Sequence, residues 1–105
     1  MVEISPEIEA IVNRYIHVLE KSNIHIQEAI LFGSYASQKY DKWSDIDIAL
    51  ISDDFEGVRF RDKEKIRKIT LSVSSLLSPL PFKTENFSDD DPFVHHIKET
   101  GLPLK

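Results

Sequence analysis

Two carboxylates sit inside an otherwise apolar run, at Asp45-Ile46-Asp47-Ile48-Ala49-Leu50-Ile51, ten residues after the turn Gly33-Ser34-Tyr35. Asp is a poor strand residue, so two of them in one strand need a reason. Side chains two apart on a strand project from the same face, which puts Asp45 and Asp47 together. Two like charges that close repel, and such a pair calls for a proton or a cation. With oxygen ligands at neutral pH, a hard divalent cation suits two carboxylates. Exposed acids at a strand end are the plainer reading of the same residues.

The turn ahead of the acids ends a second apolar run, Ala29-Ile30-Leu31-Phe32. Gly33 lets backbone approach a ligand closely and tolerates unusual dihedrals. A turn that leads into a helix presents N–H groups and a positive dipole end to a phosphate. Ser34 adds a hydroxyl, and an ordinary capping role for it stays open.

The remaining pattern predicts α-β-(α)-β-α-β-α, an α/β chain with a small mixed sheet flanked by helices. Ser5-Pro6 is a helix start. Ile8, Ile11, Val12, Tyr15, Ile16 and Leu19 then form one apolar stripe, and Lys21-Ser22-Asn23 ends it. Strands are expected over 28–32 and 45–52. In the second, Ile46, Ile48 and Leu50 share one face; Asp45, Asp47, Ala49 and Ile51 share the other. A helix is expected over about 62–77, stopped by Ser78-Pro79-Leu80-Pro81. A third strand is expected over 82–87. The last helix should run from Pro92 to Thr100, with Asp91 as its cap and Gly101 as its stop.

At 105 residues the chain has the size of a single domain with one core, 1–105. A net charge of −5 argues against broad nonspecific binding to nucleic acid and leaves an RNA acceptor open. The absence of cysteine removes disulfides and thiolate–metal sites. No run approaches the roughly 20 apolar residues of a membrane helix. With no signal-like start at Met1-Val2-Glu3-Ile4-Ser5, a cytoplasmic location is the expectation.

Taken together, Gly33-Ser34-Tyr35-Ala36 and Ser44-Asp45-Ile46-Asp47-Ile48-Ala49-Leu50 resemble the signature of the minimal nucleotidyltransferases of the DNA polymerase beta superfamily. The resemblance implies transfer of a nucleotidyl group from a nucleoside triphosphate, ATP first among them, to an acceptor hydroxyl. Gly33 and Ser34 would hold the triphosphate, and Asp45 and Asp47 would bind Mg²⁺ in a two-metal site. A third catalytic carboxylate is implied from the next strand, where Glu85 is the candidate for that role and for the metal. Many relatives follow the turn with Arg-Gly, where this chain has Ser37-Gln38; Lys39 or Lys42 could substitute for the missing cation.

The resemblance also implies a helical HEPN-type protein partner, with the chain acting as the antitoxin of a toxin–antitoxin pair. The alternative is a catalytically impaired module of the same fold that neutralises or scaffolds a partner. Ser37-Gln38 favours that alternative, and retention of Asp45 and Asp47 argues against it. The basic cluster Arg59, Arg61, Lys63, Lys65, Arg67 and Lys68 reads as a solvated helix face or as a contact for triphosphate, an acidic partner or RNA. His95 and His96 are adjacent, so they point to different faces of a helix and read as surface residues. Trp43 stands ready either to stack on a base or to anchor its loop. Oligomeric state stays open.

Overall fold

A computed structural model describes residues 4–36 and 44–105. Helix α1 spans Pro6–Lys21 and is capped by Ser5, whose hydroxyl accepts from the Ile8 N–H. Strand β1 is Glu28–Phe32, β2 is Ile46–Ser52, and α2 is Arg59–Val73. Strand β3, Leu77–Lys83, follows, then a 3₁₀ turn at Thr84–Asn86. Helix α3 is Pro92–Thr100, capped by the Asp91 carboxylate, and β4 is the short pair Leu102–Pro103.

The four strands form one mixed sheet in the order β3-β2-β1-β4. β1 runs antiparallel to β2 and to β4, while β2 and β3 are parallel, joined by α2 as a β-α-β crossover. The alternation expected in β2 holds. Ile46, Ile48 and Leu50 join the core under α1 and α2. Ala49 and Ile51 join a second cluster with Val94 and Ile97 of α3. Helices therefore cover both faces, and Asp47 lies on the α3 face. On the other face, Tyr15 Oη and Thr70 Oγ1 lie 2.6 Å apart in a buried hydrogen bond that ties α1 to α2.

Two expected boundaries are corrected. The helix expected over 62–77 starts at Arg59 and ends at Val73, because Ser74 turns extended at φ −163°, ψ 139°. Asp62 lies inside this helix, fully buried, where its carboxylate accepts from the N–H groups of Glu56 and Gly57. The third strand is Leu77–Lys83, not 82–87. Pro79 and Pro81, expected to stop a helix, lie within it. β3 is a sheet edge, and prolines two apart turn their missing N–H to the same side, so the open edge takes both without loss to the ladder. At the other end, α3 stops at Gly101 as expected, but with φ −81°. A Cβ there would overlap Ile30 Cγ2 and the Ile97 carbonyl oxygen. The glycine therefore serves close packing and not a left-handed turn.

Candidate active site

The register of β1 and β2 builds the site. Phe32 pairs with Asp47, so the residue that follows, Gly33, turns directly over the Asp47 side chain. Gly33 has φ +72°. A Cβ added to it would overlap Asp47 Oδ2 and lie 3.1 Å from Asp47 Cγ and 3.3 Å from its Cβ. Glycine is needed here on both counts: the dihedral is left-handed, and the space is taken by the carboxylate. The turn at 33–36 and the Asp47 carboxylate, eleven residues beyond Ala36 in sequence, thus form one surface.

Asp45 precedes β2 and is exposed; Asp47 is half-buried. Burial pushes the Asp47 carboxyl above the usual carboxylate range, and the negative charge of Asp45 pushes it further. A hydrogen bond from the Ser78 hydroxyl acts in the opposite direction. A cation between the two acids would relieve the repulsion that Asp45 exerts. The donors are all oxygen, and Mg²⁺ commonly takes one or two carboxylates with the substrate's phosphates and water as its remaining ligands. Asp45 and Asp47 fit that role as a pair. Among the described residues, no group of three acidic or imidazole side chains is placed to hold a metal.

Glu85 is not brought to this site. Asp47 pairs with Ser78 and Ser52 with Lys83, so β3 carries the chain five residues past Asp47 before Glu85 is reached. At about 3.3 Å per residue that is about 16 Å along the sheet. Glu85 sits in the 3₁₀ turn, exposed, with Oε1 3.1 Å from Lys83 Nζ. The neighbouring strand instead presents Ser78 across from Asp47. The early start of β3, hidden by its prolines, is what moved the expected acid to the wrong end.

The basic residues of α2 do not meet Asp47 directly: Lys63 and Arg67 line a separate cleft of about 400 Å³ that reaches Ser78 and Pro79 of β3. Lys65 Nζ donates to the Asp54 carbonyl at 2.8 Å, Arg67 pairs with Glu64 at 3.8 Å, and Arg59 lies over the Phe82 ring at 5.2 Å. His95 pairs with Glu99 at 3.0 Å. His96, which the sequence pattern gave no role, lines a cleft of about 440 Å³ with Thr100, Gly33 and Ala36. Only the packing of α3 across β1 puts it there, through Val94 and Ile97 and an edge-on contact of Phe93 with Phe32 at 6.1 Å. Ser37, Gln38, Lys39, Lys42 and Trp43 lie outside the described residues.

Comparison with known proteins places the chain in a family. The family described as polymerase beta, nucleotidyltransferase matches residues 13–105. A Methanocaldococcus jannaschii protein named as a candidate protein adenylyltransferase is 36% identical over 83 residues, covering 75% of this chain and 79% of that protein. A crystal structure of a candidate nucleotidyltransferase from Sulfolobus solfataricus superposes with a TM-score of 0.62. It covers 92% of this chain and 78% of the other at 14% identity, a likeness of fold.

Proposed function

The chain belongs to the polymerase beta nucleotidyltransferase family and is a nucleotidyltransferase; from that premise we propose that it transfers an adenylyl group from ATP to a hydroxyl of a partner protein. The observation that carries this reading is the seating of the Gly33 turn on the Asp47 carboxylate. It sets the turn directly against the Asp47 carboxylate, whose charge Asp45 neighbours. In the transfer, the acceptor oxygen bonds to the α-phosphorus, the bond to pyrophosphate breaks, and the hydroxyl proton passes to water. Gly33 and Ser34 position the triphosphate. Asp45 and Asp47 would hold Mg²⁺, which when bound supplies positive charge against the phosphates and the departing pyrophosphate. Holding the reactants in line is the larger part of catalysis for this class of reaction.

The protein acceptor is supported by the name of the M. jannaschii relative. A HEPN-type helical partner, with the chain as its antitoxin, is the partner class we favour. Ser78, standing where a third acid would meet Asp47, favours a second reading: a weakly active or inactive module that binds the partner without chemistry.

Incubating the protein with labelled ATP, Mg²⁺ and a HEPN-type partner tests both. Label on the partner that disappears with Asp47→Ala is the expected result. Tight partner binding with no transfer and no nucleotide binding would overturn the catalytic reading in favour of the module.

A further inference from the structure

The geometry points to a nucleoside-binding wall on α3, made by His96 and Thr100. The inference rests on the reading just given and extends it. The Gly33 turn has two sides: one bears on Asp47, and the other opens into the cleft of about 440 Å³ shared with His96 and Thr100. Small-molecule sites run from about 300 to 1,000 Å³, so the space suits a nucleoside. A triphosphate held on the turn would carry its sugar and base out along that turn, and this cleft borders it.

The far wall is chemically unsuited to phosphate. Thr100 is the last residue of α3, and the C-terminal end of a helix carries partial negative charge. In the same turn Glu99 is paired with His95 and Lys98 with Asp89, so the helix end itself is what disfavours phosphate. A sugar or base faces no such penalty. His96 offers an imidazole face for stacking and a ring N–H for a base or ribose oxygen. Among the described residues its ring has no hydrogen-bond or ion-pair partner, whereas the neighbouring His95 is engaged with Glu99 at 3.0 Å. The Thr100 hydroxyl donates to the His96 carbonyl at 2.7 Å and keeps its acceptor capacity.

The wall is held firmly. Val94 and Ile97 are fully buried on the sheet side of the same helix. Gly101 packs so closely against Ile30 and Ile97 that a methyl would not fit. The distance from His96 to the Gly33 turn is thereby set by core packing and not by a loop.

The test measures equilibrium binding of ATP and of inorganic tripolyphosphate, each with Mg²⁺, to wild type, His96→Ala, Thr100→Val and His95→Ala. His96→Ala is expected to weaken ATP by about 5- to 20-fold, the lower part of the range for loss of a base–aromatic contact. Tripolyphosphate binding should not change, nor should the melting temperature, since His96 is exposed. Thr100→Val should weaken ATP by a smaller factor, and His95→Ala should leave both ligands unaffected. Equal loss of ATP and tripolyphosphate in His96→Ala would overturn the assignment by placing His96 on the phosphates. Unchanged ATP affinity with reduced transfer would overturn it by placing His96 on the acceptor side. If wild type binds tripolyphosphate and ATP equally well, the nucleoside wall fails while the phosphate turn stands. If it binds neither, the proposed function fails as well.

Discussion

Replacing Gly33 with alanine separates the cost of strain from the cost of a displaced carboxylate. At φ +72° an L-residue gives up about 1–2 kcal/mol. The new methyl also lands on Asp47. Its Cγ must retreat from 3.1 Å to the 3.4 Å or more of ordinary contact, and the overlapping Oδ2 by about 1 Å. Asp47 is half-buried and hydrogen-bonded to Ser78, so it does not swing freely into solvent. Overpacking adds about 1–3 kcal/mol, for a total destabilisation of about 2–5 kcal/mol, or about 8 °C or more in Tm for a domain of this size.

Activity should fall further than stability. Displacing a reacting group by about 1 Å can cost about 100-fold. Gly57→Ala is the matched control. Its φ is +91°, its methyl meets Asn86 Nδ2 at 2.8 Å, and it lies away from Asp47. Both variants should show lowered melting temperatures by calorimetry. Only Gly33→Ala should lose label transfer by about two orders of magnitude, measured well below its Tm. Equal activity in the two variants would refute the claim that Gly33 exists to seat the turn on the carboxylate.

Tyr15→Phe should remove a pH dependence. Burial pushes the Tyr15 hydroxyl up to about 12 from 10.0 in the unfolded chain, outweighing the hydrogen bond with Thr70. The folded state keeps the proton longer, so this contribution is complete below pH 10 and lost as pH rises toward 12. The loss amounts to about 2–3 kcal/mol. Tyr15→Phe should cost about 1 kcal/mol at neutral pH and flatten denaturant stability between pH 10 and 12. An unchanged alkaline slope would contradict the assignment. Glu85→Gln should leave transfer and metal binding unaltered, since the side chain is exposed, and should cost well under 1 kcal/mol for its surface pair with Lys83. A loss of metal binding in that variant would reinstate Glu85 at the site.

The parts of the fold visible in the sequence were those with local signals. Ser5-Pro6 and Asp91-Pro92 marked two helix starts, and the alternation in β2 marked which face carries Asp47. β3 was hidden because its edge position is a property of the sheet and not of its residues. Read locally, Pro79 and Pro81 are breakers; read on an edge, they are harmless. That misplacement carried Glu85 with it. β4 was invisible for a different reason: two residues hold no period, and Leu102 and Pro103 pair with β1 only because α3 delivers them there. His96 was missed on the same ground, since its relation to Gly33 exists only once α3 crosses the sheet. The face of β2 that carries Asp47 and the turn at Gly33, in contrast, are local signals within a few residues, while the roles expected of Gly33, Ser34, Asp45 and Asp47 come from the family resemblance.

The central claim is that the Gly33 turn and the Asp45–Asp47 pair act as one nucleotide and metal site. Its most direct test is titration of Mn²⁺, followed by its electron paramagnetic resonance signal, with and without a non-hydrolysable ATP analogue. Wild type should bind the ion weakly alone and much more tightly with the analogue, because the phosphates supply ligands that the two acids leave open. Asp47→Asn should abolish that enhancement. An Asp47→Asn protein that still binds Mn²⁺ and the analogue together with wild-type affinity would contradict the account.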